Sequence, residues 1–192
     1  MELITALSNI FSAFGLSASA GLNAYVPLLI VALADRFTRL IELERPYDAL
    51  SSWWAIGTLL VLLLIEFFAD KIPAVNHIND VLQTVIRPAA GAILFAASTS
   101  VITRIHPAVA IMLGLVIAGG VHAVKAAAVR PAVTATTGGI ANPIVSVVED
   151  VIATLVSILA VVVPIVIGVI IVMIAVWIVL RIWRRTAHPA RV

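Results

Sequence analysis

The sequence predicts an all-α, polytopic integral membrane helix bundle, and three observations lead to that prediction. Of the 192 residues, 62% are hydrophobic and only 11% are charged, with a mean hydropathy of +1.18. Soluble domains average roughly 45–50% apolar and about 25% charged residues. Apolar runs recur at the ~20-residue length that spans a bilayer. Glycine, proline and polar residues interrupt several runs, so we expect broken or re-entrant helices.

The first half of the chain contains two apolar runs. Residues 3–34 would reach about 48 Å as one helix, which is too long for an upright span of a ~30 Å hydrocarbon core. The small and polar residues of 15–23 predict a break there, giving either a hairpin or a discontinuous span. A charged connection at 35–50 follows. Residues 51–69 form the cleanest span and begin with an aromatic pair, Trp53-Trp54, typical of a membrane interface.

The second half repeats this alternation of apolar and interrupting segments. Residues 107–129 contain Gly114, Gly119 and Gly120, small residues that allow close helix contact. Proline, glycine or polar residues predict four interruptions: a polar stretch at 70–80, Arg87-Pro88 within 81–103, a helix-breaking segment at 134–143 that Arg130-Pro131 leads into, and a break or kink at Pro164 within 143–183.

The distribution of arginines predicts the orientation in a cell (inner) membrane. Arg181, Arg184, Arg185 and Arg191 place the C-terminus in the cytoplasm by the positive-inside rule. The same rule places the 36–45 loop and Arg104 inside and the segments 70–80 and 130–142 on the other side. Segment 143–183 must then cross the membrane once in net terms, so we expect 143–162 to be a re-entrant or strongly tilted half-helix.

An internal repeat is predicted within a single membrane domain covering 1–192. Segments 73–84 and 143–154 align at a constant offset of 70 residues, with identical proline, valine, aspartate and threonine positions. Chance similarity of two apolar helices is the alternative. Repeats that carry broken helices are typical of secondary transporters, which bind their substrate at the repeat interface.

Charged residues inside the apolar segments are the first candidates for function. Each costs about 2.5–3.5 kcal/mol at the bilayer centre on insertion scales, so such charges pair or face water. Near-equal numbers of acids and bases predict a paired network. One interpretation is structural ties between helices; another is a path for an ion, a proton or a polar headgroup. A third, a divalent metal site, would use Asp80, Glu149, Asp150 and His77 or His122, although the sequence lacks a metal-ligand spacing.

The segment 136–143 is a second candidate. Its glycines and the helix start near Asn142-Pro143 suggest backbone amides that hold an anion. The alternative is a tight turn with threonine caps. Residues 17–23 are a similar candidate at the first broken helix.

Several function classes are disfavoured. The chain has no cysteine, and we find no H-E-x-x-H, P-loop or nucleophile–base–acid set, so we expect no enzyme activity and no cofactor. Without a basic stripe interleaved with aromatics, no nucleic-acid partner is expected. The expected partners are the lipid bilayer and further copies of this chain.

Five stretches carry a resemblance to a known family: 21–29 (GLNAYVPLL), 66–73 (EFFADKIP), 83–91 (QTVIRPAAG), 122–125 (HAVK), and 136–143 (TTGGIANP) followed by Glu149-Asp150. Together they resemble a family of small bacterial integral membrane proteins catalogued only as a domain of unknown function. The resemblance implies a multi-helix membrane protein and no particular activity.

Two functional hypotheses follow. The first is a small transporter or channel-like protein for an ion or a phosphate-bearing solute or lipid; the second is a non-transporting scaffold or assembly factor whose charges tie helices together. The predicted substrate or ion site comprises Asp80, Thr84, Arg87, His122, Lys125, Thr137, Gly138, Gly139, Asn142, Glu149 and Asp150, and a coupling or structural network comprises Glu66, Asp70, Lys71 and Arg130.

Overall fold

A computed structural model describes residues 2–69, 73–99 and 105–187, and it confirms an all-α bundle. The α-helices are α1 (Glu2–Leu22), α2 (Tyr25–Phe37), α3 (Trp53–Ala69), α4 (Pro73–Thr99), α5 (Pro107–Val124), α6 (Arg130–Thr137), α7 (Asn142–Val162) and α8 (Pro164–Ala187). A 3₁₀ turn (Tyr47–Ser51) precedes α3, and a π-helical segment (Lys125–Val129) joins α5 to α6.

Helix α1 lies at the centre of the bundle, between α4 and α7. The Ser17 hydroxyl donates to the Gly91 carbonyl of α4 at 2.9 Å. On the other side, Ser12 donates to the Ala160 carbonyl at 2.6 Å and Ser19 to the Ala153 carbonyl at 2.8 Å. Residues later in α1 contact residues earlier in α4 and in α7, as Phe14 with Phe95 and Ser17 with Gly91 show for α4. Helices α4 and α7 therefore both run antiparallel to α1.

The first long apolar run folds as a hairpin. The break falls at Asn23 and Ala24, at the end of the segment 15–23, and α1 is helical through Leu22. The Asn23 side-chain oxygen accepts from the backbone N–H groups of Tyr25 and Val26 at 3.0 and 3.1 Å. Asn23 therefore supplies the two first donors of α2 with an acceptor, as a helix cap does. Residues 39–42 return to the start of α1.

Helices α1, α4 and α5 approach each other closely at glycine positions, where no side chain keeps the backbones apart. A Cβ at Gly91 would overlap the Cβ of Ala118, and one at Gly21 would lie 2.5 Å from the Ala118 carbonyl oxygen. Gly114 faces Gly91 across the α4–α5 contact. The other two glycines of α5 differ from the expectation: a Cβ at Gly119 would be 3.6 Å from Pro88, and one at Gly120 would meet open space.

The expected interruption at Arg87-Pro88 is wrong, and the helix-breaking segment 134–143 ends its helix only after Thr137. Helix α4 continues through Pro88 for 27 residues, because an interior proline removes one hydrogen bond without necessarily ending a packed helix. Pro131 stands at the start of α6, where proline needs no intrahelical donor, and the chain stays helical to Thr137. The wider turn of the π-helical segment accommodates this junction.

The remaining interruptions agree with the expectation. Gly138 and Gly139 have φ of 63° and 88° and end α6, a conformation that glycine adopts without strain. Val163 separates α7 from α8, so the break at Pro164 is confirmed. Helix α7 has 21 residues and is long and apolar enough to cross a membrane, so its length does not require a half-helix. Pro73 and Pro143 both stand at helix starts; the repeat itself stays a prediction.

The outer surface is aliphatic. Three described helical segments are long and apolar enough to span a bilayer: Val81–Thr99, Pro107–Thr137 and Asn142–Val162. Large side chains of α3, α5, α7 and α8 face outward, with Trp54 at 89% exposure and Val116 at 66%. Soluble monomers rarely expose such continuous apolar surface. A lipid environment accounts for it.

Candidate functional site

Charged side chains gather at one end of the bundle, which we call the Asn23 end. Here α1 stops, α2 begins, and side chains come from α3, α4, α5, the π-helical segment, α6 and α7. Six Asp, Glu, His, Lys or Arg residues are buried in the described structure, each at most 9% exposed: Glu66, Arg87, His122, Lys125, Arg130 and Glu149. Buried charges are costly unless they are paired and hydrogen-bonded, so their partners decide what this cluster can do.

The first part of the cluster is centred on Arg87. Its Nη2 lies 2.9 Å from Glu66 Oε1, and the two side chains are only 1% and 2% exposed. Arg87 Nη1 lies 3.3 Å from His122 Nδ1. Because a guanidinium only donates, Nδ1 is the acceptor, and a neutral ring then carries its proton on Nε2. That Nε2 lies 3.2 Å from the Thr84 hydroxyl oxygen. Three helices are thereby joined through one arginine.

The second part is centred on Glu149. Its Oε2 lies 2.7 Å from Lys125 Nζ and 3.6 Å from Arg130 Nη2. Lys125 also donates to the Leu22 carbonyl at 3.3 Å, where the last carbonyls of α1 attract a cation. One carboxylate thus serves two cations, and Lys125 also lies within electrostatic reach of Arg87.

Asp150 of α7 contacts the connection between α1 and α2 at Asn23 and Ala24, which we call the α1–α2 hinge. Its Oδ1 accepts from the Asn23 side-chain amide at 2.9 Å. One side chain, Asn23, therefore caps α2 with its oxygen and contacts α7 with its nitrogen. The break in the first apolar run is tied directly to the charged cluster.

A buried amide lies beside the Arg87 group. Gln83 is 1% exposed, and its Oε1 accepts no hydrogen bond from the part of the chain that the structure describes. The polar ends of Tyr25 and Gln83 interact, and Glu66 and Arg87 lie nearby. A buried amide oxygen is costly unless it is hydrogen-bonded.

The glycine turn uses most of its own amides. Ile140 N–H donates to the Thr137 carbonyl and Asn142 N–H to the Gly139 carbonyl, at 3.4 and 3.1 Å. Ala141 N–H lies 3.4 Å from the Thr137 hydroxyl. The Asn142 amide donates to the Thr134 hydroxyl at 3.1 Å. These contacts of Thr137, Gly139 and Asn142 within the turn favour the tight-turn interpretation of 136–143 over the anion cradle.

The other candidate residues are placed as follows. Asp80 lies on α4 one turn before Thr84, and its side chain is outside the described structure, as are Asp70 and Lys71 entirely. Within 2–69, 73–99 and 105–187, no group of three or more His, Cys, Asp or Glu residues is arranged to hold a metal ion.

Sequence reasoning singled out residues 17–23 as a candidate anion site, but Ser17, Ser19 and Asn23 instead form hydrogen bonds between helices. It missed Ser12, Tyr25 and Gln83. Ser19 shares a hydrogen bond of 2.7 Å with Ser157 of α7. Ser12, Ser17 and Ser19 alternate with alanine and glycine in α1. Such small and hydroxyl-bearing residues indicate close contact and hydrogen bonding between membrane helices. In the sequence this same pattern suggested a break.

An apolar groove runs beside the Lys125–Glu149 pair, between α5, the π-helical segment, α7 and α8. We call it the lateral groove. Its volume is about 770 Å³. Its described lining is aliphatic, and Lys125 and Glu149 are the charged residues that contribute to it. A smaller, more polar pocket of about 380 Å³ lies at the opposite end of the bundle, between the start of α1, residues 39–42 and the α7–α8 break.

An all-α bundle with an aliphatic exterior and a buried, paired charge cluster defines the class: a helical membrane protein with an internal polar centre. The chain belongs to the family described as Domain of unknown function (DUF4126), whose model matches residues 10–185. No curated protein and no solved structure matches the chain.

Proposed function

We propose that this chain is a small membrane carrier that binds a phosphate-bearing anion, either a solute or a lipid, at the buried charges of the Asn23 end. The observation that carries the proposal is the sharing of one carboxylate, Glu149, by two cations, Lys125 and Arg130. The buried cations Arg87, Lys125 and Arg130 are accompanied by the buried carboxylates of Glu66 and Glu149 and by the part-buried carboxylate of Asp150. Because both Lys and Arg bind phosphate strongly, a phosphate is able to compete with Glu149 for its two cations.

The helix ends support the same proposal. Secondary transporters commonly place broken helices at their binding sites. Here the last carbonyls of α1 contact Lys125, and the start of α2 is linked to Asp150 through Asn23. A change in the Lys125–Glu149 contact would therefore act on the α1–α2 hinge. We propose that an entering anion competes with Glu149 for its two cations.

The rival function is a non-transporting scaffold, and one specific observation favours it. Arg87, Lys125 and Arg130 all have a carboxylate within 4 Å, and the lateral groove exposes only aliphatic surface beside them. In a scaffold the same pairs would fix helix positions and bind nothing.

Reconstitution distinguishes the two. The protein is placed in phosphatidylcholine vesicles, and two probes are followed: radiolabelled inorganic phosphate uptake and the flip of a fluorescent phosphatidylglycerol. The carrier predicts flux of at least one probe. Lys125→Gln should lower it about tenfold or more, since a hydrogen bond to a charged group contributes about 1.5–3 kcal/mol. Arg45→Gln is the matched control, because Arg45 is 94% exposed and its ion pair is with the neighbouring surface residue Asp48. Flux of neither probe, or equal flux in the Lys125→Gln protein, contradicts the carrier.

A further inference from the structure

The pocket at the end of the bundle opposite the Asn23 end, which we call the polar pocket, contains polar groups that the charge cluster does not use. Its volume is about 380 Å³. Its walls are the first half of α1, residues 39–42, the end of α4 and the α7–α8 break. Because these walls meet at one end of the bundle, the polar pocket is separate from the anion site proposed at Lys125 and Glu149.

Helix α1 presents a polar face to this pocket. The residues of α1 that line it are Thr5, Ser8, Asn9 and Ser12. Positions spaced in this way, at i, i+3, i+4 and i+7, lie on one side of a helix. Ser12 donates to the Ala160 carbonyl at 2.6 Å, whereas Ser8 and Asn9 have no hydrogen-bond partner among the residues that the structure describes. Polar groups without partners are costly away from water, so this face meets water or a polar ligand.

The pocket also receives the C-terminal end of α7. Val161 and Val162 line it directly before the break. Pro164 has no N–H, so the Ala160 carbonyl four residues earlier accepts from Ser12 instead of from the helix backbone. The last carbonyls of a helix form the negative end of its dipole. The end of α7 therefore favours a positively charged group in the pocket.

Two opposite charges reach the pocket from the loop after α2. Arg39 and Glu42 both line it, and both side chains are exposed. Within the described ranges neither of them forms an ion pair, with the other or with a third residue. Arg45 of the same loop, in contrast, is paired with Asp48 at 3.8 Å. The polar pocket thus offers one cation and one carboxylate to a ligand.

We infer that the polar pocket binds a small zwitterion, with its singly charged oxyanion at Arg39 and its ammonium group between Glu42 and the end of α7. The oxyanion is a carboxylate or a phosphodiester, so the ligand is a free amino acid or the ethanolamine headgroup of a phospholipid. A guanidinium binds such oxyanions through two parallel hydrogen bonds. Ser8 and Asn9 supply further donors and acceptors. This inference goes beyond the proposed function, and neither depends on the other.

Size and charge favour a zwitterion over other ligands. The volume of about 380 Å³ is near the lower limit of the range of about 300–1,000 Å³ that is usual for small-ligand sites. A simple anion would leave Glu42 and the end of α7 without a partner, and a simple cation would leave Arg39 without one. An apolar molecule would cover the polar face of α1 and satisfy none of its hydrogen bonds.

Thermal unfolding of the full-length protein in detergent, titrated with soluble probes near neutral pH, measures this binding, because a ligand of the folded state raises Tm. Alanine and glycerophosphoethanolamine are the zwitterionic probes. Ethanolamine and acetate each carry only one of the two charged groups. At least one zwitterion should raise Tm at concentrations at which ethanolamine and acetate, alone or mixed, do not. A response to alanine identifies an amino acid as the ligand, and a response to glycerophosphoethanolamine alone identifies the lipid headgroup.

The loop after α2 offers a matched control for each charge. Arg39→Gln and Glu42→Gln each remove one charge from the pocket. Arg45→Gln and Glu44→Gln remove the same charges from exposed positions nearby that do not line it. Each pocket variant should weaken binding of the responding zwitterion at least about fivefold, because hydrogen bonds to charged groups are the stronger ones. Both controls should bind like the wild type, and all four substitutions are at the surface, so the folded protein should be retained.

Three results would overturn the inference. A Tm that responds to neither zwitterion would mean that water alone occupies the pocket. Acetate or ethanolamine acting as strongly as the zwitterion would reduce the pocket to a site for a single charge. Binding that Arg39→Gln or Glu42→Gln leaves unchanged would place the ligand elsewhere. Lys125→Gln, which tests the carrier, should not alter this binding, so the two proposals fail separately.

Discussion

The buried pair Glu66–Arg87 gives the most direct prediction of stability. Replacing Arg87 with Met removes the cation and leaves Glu66, a side chain 2% exposed, 2.9 Å from where its partner stood. Breaking a buried pair by removing one partner typically costs about 3–5 kcal/mol, because the other charge stays out of water. For a chain of this size each 1 kcal/mol shifts Tm by about 2–4 °C, so we expect a loss of roughly 6–20 °C.

Thermal unfolding in detergent, followed by the loss of monodisperse protein, measures this change. The double variant Glu66→Leu with Arg87→Met is the control, because two apolar side chains of similar size carry no buried charge. It should recover most of the lost stability, as replacing both members of a buried pair is often neutral or stabilising. If the double variant is as unstable as Arg87→Met, the contact with His122, and not the ion pair, determines stability at this position, and the reasoning is refuted.

Two further predictions concern the bundle around α1. Gly91→Ala should lower Tm by several degrees or prevent folding, because the added Cβ would overlap Ala118 and lie 2.8 Å from the Gly114 carbonyl oxygen. The control Gly57→Ala should be neutral or stabilising by up to about 1 kcal/mol, since open space surrounds Gly57. Equal effects of the two variants in a thermal scan would contradict the close packing at Gly91. Asn23→Asp should keep the cap of α2 and destabilise through a second carboxylate beside Asp150, and adding Asp150→Asn should restore stability by exchanging donor and acceptor. A double variant no more stable than Asn23→Asp would show that this hydrogen bond does not hold the hinge.

The sequence predicted the class of fold and several breaks because those depend on local physics. Apolar runs of membrane length, and the break before Pro164, follow from composition and from what proline does to a helix. Pro88 shows the limit of this reasoning. Pro164 follows the end of α7, whereas Pro88 is accommodated inside α4. In α4 the packing against α5 outweighs one missing hydrogen bond.

Partners within the charge cluster could not be predicted from the sequence. The several acids and bases in the apolar segments can be paired in many ways on the sequence alone. Only the three-dimensional arrangement shows that Glu66 of α3 pairs with Arg87 of α4. The neighbours Glu149 and Asp150 look equivalent in the sequence. Helix geometry turns them about 100° apart, so Glu149 meets two cations while Asp150 meets Asn23.

The central claim, that Lys125 and Arg130 form an anion site in competition with Glu149, is tested most directly by Glu149→Gln. Removing the internal competitor takes the Glu149 carboxylate away from both cations, so inorganic phosphate should bind this variant more tightly than the wild type. Its Tm should rise further on adding phosphate, since a ligand that binds the folded state stabilises it. Lys125→Gln with Glu149→Gln should lose that gain. A Glu149→Gln protein that is less stable and shows no additional response to phosphate would contradict the claim and leave the cluster as a structural tie.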